Sequence, residues 1–300
     1  MDQIELEIPS SLEGARLDKA IAEILGLSRA AASSVVQAGV ELDDVAAKAS
    51  DRVRGGQVIR CQSPEEAVSL APEPVPFDVL HEDGVLLVVD KPAGVVVHPG
   101  SGRTTGTLAA GLLHRYPELE GVGASERWGL VHRLDKDTSG ALLVARTRES
   151  FEALTAELRR HQITRTYTAL VEGKMGAPTG TIEAPIGRDP TQPTRRAVSH
   201  GGRHARTHYE VSRFFEGSHA SLLSVRLETG RTHQIRVHLA AIDHPVAGDR
   251  VYGAVRKDLG APRTFLHASR LEFTHPATGE RLTVESPLPP DLAGVLDGLS

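Results

Sequence analysis

Cysteine occurs once, at Cys61, so the chain cannot form an internal disulfide and its thiol content does not point to an oxidising compartment. Aromatic residues are sparse too, at 4%. The core must therefore come from Leu, Val, Ile and Ala. No apolar run approaches the roughly 18 residues that a membrane-spanning helix needs. The opening Met1-Asp2-Gln3-Ile4-Glu5 lacks the basic start and apolar stretch of a secretion signal. The cytoplasm is the expected compartment, and no membrane partner is expected. Neither an HExxH nor a CxxC pattern occurs, which removes the commonest zinc signatures, and internal repeats and low-complexity tracts are missing. What is present is an ordinary globular composition, 40% hydrophobic and 24% charged over 300 residues. That suits one large domain or two smaller ones.

A formal net charge of −5 argues against a nucleic-acid partner only if the charge is evenly spread. It is not. Residues 65–90 carry Glu65, Glu66, Glu73, Asp78, Glu82, Asp83 and Asp90 with no Lys or Arg. Residues 195–236 carry Arg195, Arg196, Arg203, Arg206, Arg213, Arg226, Arg231 and Arg236 against Glu210, Glu216 and Glu228. This asymmetry permits a basic working face on an acidic protein. The plainer reading is a solvated arginine-rich loop.

The composition breaks where Ser63-Pro64-Glu65-Glu66 runs into Pro72-Glu73-Pro74-Val75-Pro76. Alternating prolines favour extended backbone and cannot continue a helix. The expected organisation is a module at 1–62, a linker at 63–76 and a larger domain at 77–300. Upstream, Leu17, Ile21, Ile24 and Leu25 recur at helical spacing and Gly26 stops the run. Ser28 is the expected cap of a second helix through Gln37, with Gly39 beyond it, and short strands are expected at 40–42 and 58–60. This order, opened by Arg16-Leu17-Asp18-Lys19, resembles the small S4 RNA-binding module, an α/β unit. S4 second helices usually carry several basic residues, whereas Arg29-Ala30-Ala31-Ala32-Ser33-Ser34 offers only Arg29. The alternative is a structural appendage.

Downstream, the apolar runs at 85–89, 94–98 and 141–145 and the alternation at 166–171 predict strands. Helices are predicted at 108–114 and at 151–160, the latter capped by Ser150 with Phe151, Leu154 and Leu158 on one face. Strands dominate and helices come irregularly, which predicts an α+β fold on a largely antiparallel sheet.

Two runs carry candidate chemistry. His132-Arg133-Leu134-Asp135-Lys136-Asp137-Thr138-Ser139-Gly140 is a polar loop entering a buried strand, with two carboxylates flanked by cations. From pattern alone a solvated turn accounts for it as well as a catalytic loop does. In Thr229-Gly230-Arg231-Thr232-His233-Gln234-Ile235-Arg236-Val237-His238-Leu239, the residues Ile235, Leu239 and Ile242 share one helical face. Thr232 is the expected cap, with Arg231 at the helix mouth and Arg236 one turn inside, where an arginine could hold a carboxylate. His200, His204 and His208 are spaced like metal ligands on a helix, but Gly201-Gly202 and the alternation at 207–211 argue against a helix there.

The first run closely resembles the signature loop of pseudouridine synthases of the RluA/RluD type. Other stretches match in the family's order: Asp90-Lys91-Pro92-Ala93-Gly94, Val97-His98-Pro99-Gly100, Arg165-Thr166-Tyr167, Val171-Glu172-Gly173, Ile186-Gly187-Arg188, Thr207-His208-Tyr209, Thr229 to Arg236, His244-Pro245-Val246-Ala247-Gly248-Asp249 and Leu266-His267-Ala268. The resemblance spans roughly residues 72–290. Departures are mild: Asp90 stands where Asn is commoner, Arg165 for a common Lys, and Trp128 where Pro is frequent.

The resemblance implies an isomerase that breaks the N1–C1′ bond of uridine, turns the base and forms C5–C1′, chemistry for which no cofactor or metal is expected. It makes Asp135 the essential carboxylate, Arg236 its ion-pair partner with Arg231 the runner-up, and Tyr167 the residue that stacks on the base. Arg133 is expected to fill the place of the flipped nucleotide. His132, Arg231 and Gln234 are further expected substrate contacts, while His132, His98 and His267 also suit structural hydrogen bonding. Asp137 is expected to tie the loop. The RluD-like arrangement implies structured RNA as partner, large-subunit ribosomal RNA or a pre-ribosomal particle. A transfer-RNA substrate, a non-catalytic RNA-binding or ribosome-assembly protein and a glycosidase-type hydrolase are the competing readings. If the arginines of 195–236 meet phosphates, RNA affinity should fall steeply between low and moderate salt. A filter-binding titration with a flat salt dependence would contradict that.

Overall fold

Sheet-forming periodicity, more than helix, shapes both parts of the chain. The computed structural model describes residues 3–27, 29–37, 39–62, 70–99, 105–123, 127–192, 195–253 and 259–300, and it separates into two compact units. One comprises residues 1–71 with 123–128, the other 72–122 with 129–300.

In the first unit, helices α1 (Leu17–Ile24) and α2 (Arg29–Gln37) accompany strands β1 (Gln3–Glu7), β2 (Val40–Leu42), β3 (Val45–Ala46) and β4 (Val58–Gln62). The strands pair antiparallel in the order β1-β4-β2-β3. Leu17, Ala20 and Ile21 are the buried stripe of α1, and they share one core with Val35, Val40, Ile59 and Cys61. Cys61 therefore serves as a small apolar core residue. Both predicted strands are present. The strand β1 was not predicted, because its partner β4 is distant in sequence and local alternation over five residues is a weak signal. The expected Ser28 cap and residues 63–69 of the expected linker lie outside the described residues.

The second unit contains β5 (Asp78–Glu82), β6 (Leu86–Lys91), α3 (Leu108–Arg115), β7 (Ser139–Ala145), α4 (Arg148–Arg159) and β8 (Thr164–Glu172). It continues with β9 (Thr179–Glu183), β10 (Ile186–Arg188), β11 (Arg196–Val198), β12 (Arg206–Phe215) and β13 (Ala220–Leu227), then α5 (Gln234–Ala241), β14 (Leu266–Thr274), β15 (Arg281–Glu285) and α6 (Pro290–Asp297). A nine-stranded sheet runs β5-β6-β7-β14-β8-β13-β12-β9, with β15 paired to β14, and β10-β11 form a separate hairpin. Only β7 and β14 pair parallel in the large sheet; its other named pairings are antiparallel. The fold is α+β on a largely antiparallel sheet.

Every residue of β7 is buried, which is why its sequence reads as a continuous apolar run rather than an alternating one. Leu154 of α4, with Phe151 and Leu158 beside it, closes over a core that includes Leu86, Val88, Leu143 and Phe273. Each such side chain contributes about 1.5–3 kcal/mol on burial. The α4 boundary differs from expectation. The helix starts at Arg148 and Thr147 is the cap, its hydroxyl accepting the Ser150 amide at 3.2 Å, so Ser150 lies inside the first turn. The predicted strand at 94–98 is also absent: the segment turns at Ala93–Gly94 and keeps one isolated bridge, Val96 to Thr107. Its carbonyls go elsewhere, Val95 to the Lys91 ammonium and Val96 and Val97 to the first amides of α3.

Gly140, at the start of β7, brings the polar loop into the sheet. Its φ is +116°, and a Cβ there would lie 2.7 Å from Ala268 N and closer still to the Ala268 carbonyl, across the parallel β7–β14 contact. Backbone cannot yield as a side-chain tip can. Gly140→Ala is expected to cost about 2–5 kcal/mol, from the strained φ and the steric overlap together, read as a lower denaturant midpoint. An unchanged midpoint would show that this junction tolerates a side chain.

Candidate active site

Asp135 stands on the loop that feeds β7, and the loop is held by its own backbone. The Asp135 carbonyl accepts the Thr138 amide at 3.2 Å, closing a turn. The Lys136 carbonyl accepts both the Gly94 amide at 2.8 Å and the Lys91 ammonium at 3.0 Å. Lys91 is wholly buried, and its other two bonds go to the carbonyls of Pro92 and Val95, both at 2.8 Å. Burial pushes its pKa down to about 7, while the nearby Asp135 and Asp137 oppose that shift. Three carbonyl acceptors match the three protons of an ammonium, which a neutral amine could not satisfy. Behind the loop, His132 is buried and its Nε2 accepts the Leu143 amide at 3.2 Å. Burial, reinforced by the Arg165 charge, brings its pKa to about 3, so it is a neutral structural imidazole at ordinary pH.

The Asp135 carboxylate itself meets Arg236. Arg236 Nη1 donates to Asp135 Oδ2 at 3.2 Å, and the Asp135 side chain keeps 18% of its surface exposed. The other edge of the guanidinium is taken by Asp249, from Nε to Oδ2 at 2.6 Å and from Nη2 to Oδ1 at 3.0 Å. Asp249 also accepts the amides of Val251 and Tyr252 at 2.9 and 3.1 Å. Burial would raise the Asp249 pKa, but the Arg236 contact and these amides hold it below the usual carboxylate range. Burial likewise works against the Arg236 charge, and Asp249 and Asp135 more than reverse it, keeping the guanidinium fully protonated. The Tyr252 ring is flanked by the guanidinium of Arg236 at 5.1 Å and that of Arg195 at 4.9 Å, a stacked pair of cation–π contacts. Its hydroxyl accepts the Arg196 amide at 3.0 Å and meets His233 Nδ1 at 2.9 Å.

This arrangement settles several expectations about residue placement. Arg236, not Arg231, reaches Asp135; Arg231 is turned to the His204 carbonyl at 2.9 Å. Thr232 is not the cap of α5. His233 occupies that position in the left-handed region, with φ 58°, and no side chain caps the helix. Gln234 is buried with its amide committed inside the protein: Oε1 accepts from Thr229 Oγ1 and the Arg231 amide, and Nε2 donates to the Arg206 carbonyl and Thr207 Oγ1. It fastens the turn before α5 and has no spare donor for a substrate. The polar face of α5 is as buried as the apolar one, since Gln234, Arg236 and His238 all lie inside.

Tyr167 and Arg165 lie on the same face of β8, two residues apart, and both are buried. Burial and the Asp135 charge raise the Tyr167 pKa against the pull of Arg165, so the phenol is neutral. Arg133 and Asp137 are exposed. Asp137 does tie the loop, through its main-chain carbonyl, which accepts from Arg263 Nη1 at 3.0 Å. His204 and His208 belong to an extended segment and pair with Glu183 and Glu228 at 3.0 and 2.7 Å. Among the described residues no cluster of three His, Cys, Asp or Glu side chains is arranged to hold a metal ion. The residues that sequence reasoning left without a role are Asp249, Tyr252 and Lys91. Asp249 and Lys91 fall within matched motifs, so a signal for them existed; Tyr252 had none.

Comparison with known proteins gives the family. A family described as RNA pseudouridylate synthase matches residues 85–241. The chain is 46% identical to the ribosomal large subunit pseudouridine synthase D of Nitrosomonas europaea, over 99% of this chain and 88% of that one. It is 42% identical to an RNA pseudouridine synthase of Mycobacterium bovis, over 97% and 96%. Among solved structures, human RNA pseudouridylate synthase domain containing 1 superposes with a TM-score of 0.60 at 28% identity, covering 74% of this chain and 89% of the human one. The family model covers more than half of the chain and the two bacterial relatives nearly all of it: this chain belongs to the RNA pseudouridylate synthase family.

Proposed function

We propose that Asp135 is the reacting carboxylate of this isomerase and that its substrate is a uridine in large-subunit ribosomal RNA. The observation that carries the first part is the one-point contact with Arg236. A bidentate ion pair would occupy both carboxylate oxygens. Here Asp249 takes the two-point edge of the guanidinium, and Asp135 receives only Nη1, with its side chain partly open to solvent. The carboxylate thereby meets a neighbouring cation through one oxygen while Oδ1 stays available to the ribose. It acts at the sugar, either by attacking C1′ or by taking the C2′ proton. Both routes break N1–C1′ and, after the base turns, form C5–C1′. The carboxylate is released in either route, as its ester with C1′ breaks or as the C2′ proton is returned; C5 loses its proton and N1 gains one, so the composition of the uridine is unchanged.

The other roles follow from placement. Tyr167, a neutral phenol in an apolar setting near Asp135, suits stacking against the uracil. Arg133, exposed on the same loop, suits filling the gap left by a flipped nucleotide, which costs a few kcal/mol to extrude. Arg195 and Arg196, beside Tyr252, supply cations for backbone phosphates. The name of the relative from Nitrosomonas europaea supports large-subunit ribosomal RNA as the substrate class, free or within a pre-ribosomal particle. Residues 1–62 would serve as an S4-like RNA-binding unit, with 63–76 as the linker, and the cytoplasm is the setting that such a substrate requires. No cofactor or metal is needed for the bond changes described. A hydrolase would need a second carboxylate able to activate water. The neighbouring candidate, Asp249, has both oxygens engaged by Arg236 and two amides, which leaves it unsuited to that task.

The test is tritium release from C5-tritiated uridine in unmodified ribosomal RNA. Wild type is expected to release tritium, Asp135→Asn to release none above background, and Arg236→Gln to fall by at least about 100-fold, the scale on which a misplaced reacting group is penalised. Full activity of Asp135→Asn would end the assignment. Release of free uracil would revive the hydrolase, and activity confined to transfer RNA would overturn the substrate class alone.

A further inference from the structure

Arg263 lies outside every motif considered above, yet its guanidinium touches the catalytic loop at two points. Nη1 donates to the Asp137 carbonyl at 3.0 Å and Nη2 to Ser139 Oγ at 3.0 Å. The remaining edge is held by Asp291 in the first turn of α6, from Nε to Oδ2 at 2.6 Å and from Nη2 to Oδ1 at 3.2 Å. The Arg263 side chain is mostly buried, at 13% exposure, whereas Asp291 is 43% exposed.

Ser139 is in turn fixed from the other side. His267 Nε2 lies 3.0 Å from the Ser286 carbonyl, an acceptor only, so that nitrogen carries the proton. His267 Nδ1 is then the acceptor for the Ser139 hydroxyl at 3.0 Å. The hydroxyl has one proton, and with it given to His267 the oxygen is free to accept from Arg263. The hydrogen bonds thus run in one direction, from α6-anchored Arg263 through Ser139 to His267 and the Ser286 carbonyl just past the end of β15.

The backbone of the same residue adjoins the other half of the site. A Cβ on Gly248, whose φ is +70°, would lie 2.8 Å from the Arg263 carbonyl carbon and closer to its oxygen. Gly248 precedes Asp249, the residue that orients Arg236. Arg263 therefore grips the Asp135 loop with its side chain while its main chain abuts the turn that carries Asp249.

We propose that Arg263 is a positioning residue for isomerisation, one that sets the spacing between Asp135 and the Arg236–Asp249 pair, and that Asp291 of the C-terminal helix aims it. This rests on Asp135 being the reacting carboxylate. Arg263 is not placed to touch the uridine; it acts through the loop. Misplacement of a reacting group by about 1 Å can cost on the order of 100-fold in rate, so the effect belongs in kcat.

The experiment is single-turnover and steady-state tritium release on ribosomal RNA for Arg263→Gln, Arg263→Lys, Asp291→Asn and the Arg263→Gln/Asp291→Asn pair, with Asp135→Asn alongside and melting temperatures recorded. Arg263→Gln is expected to lower kcat about 10- to 100-fold with KM and RNA affinity within about twofold of wild type. Arg263→Lys should recover part of the rate, because an ammonium can reach one loop acceptor but not span both. Asp291→Asn, at a half-exposed position, should fold normally and lose several-fold in kcat. The pair should be no worse than Arg263→Gln alone, since both act through one contact. Wild-type kcat in Arg263→Gln or Asp291→Asn, measured below their melting temperatures, would overturn the proposal, and so would a raised KM at unchanged kcat. If Asp135→Asn still released tritium, the assignment of the carboxylate would fall instead, which separates the two failures.

Discussion

One guanidinium shared unequally by two carboxylates is the interaction on which the site depends. Arg236 is buried on α5, where an unpaired cation would be costly. Asp249 meets that cost with two parallel hydrogen bonds and is itself stabilised by the amides of Val251 and Tyr252. The structural pairing is thus complete before Asp135 is considered. Asp135 adds a single bond at 3.2 Å, longer than either bond to Asp249. The two contacts differ physically: the fully buried carboxylate holds the cation by two bonds, and the partly exposed one meets it by a single bond.

The rest of the second unit keeps that geometry. Tyr252 stacks on Arg236 and links it through its hydroxyl to the Arg196 amide on the β10–β11 hairpin. Gln234 ties the turn before α5 to β12. The loop that carries Asp135 is gripped by its carbonyls, Lys136 by the Lys91 ammonium and Asp137 by Arg263. Cations bound to main-chain oxygens constrain the loop, and the Ser139 hydroxyl adds one side-chain contact with Arg263. That leaves Arg133, Lys136 and Asp137 exposed and available to RNA, while Asp135 is held between fixed neighbours.

Charge is distributed to the same end. The protein is acidic in total, yet Arg195 and Arg196 at the β10–β11 hairpin lie beside Tyr252, which contacts Arg236. Neutral groups sit where a further charge would interfere. His132 and His267 are buried and uncharged, and Tyr167 keeps its proton. The charge that meets Asp135 directly is therefore the Arg236 guanidinium, which its two carboxylate partners keep protonated.

Much of this was legible in the amino-acid sequence. The apolar run of β7, the alternation of β8, the helix stripes of α1 and α4 and the proline-rich break all act over a few residues, where side-chain periodicity and backbone preference suffice. The signature loop, the Arg165–Tyr167 match and the Thr229–Arg236 run named Asp135, Tyr167 and Arg236 as the residues to watch. What sequence could not decide was which of two nearby arginines would reach the carboxylate, or that Gln234 would be consumed inside the protein, or that Asp249 would be the anchor. Local rules also misplaced the caps of α4 and α5 and drew a strand at 94–98, where the Lys91 ammonium instead bends the chain around itself. Those outcomes depend on residues far apart in the chain, Asp135 with Arg236 and Asp137 with Arg263. Composition and spacing along the sequence determined most of the elements, and the resemblance in the motifs supplied the candidate site residues. Which donor meets which acceptor was decided only when the sheet brought β7, β14 and α5 together, because hydrogen bonds and ion pairs act over about 3 Å and their partners are chosen by tertiary packing.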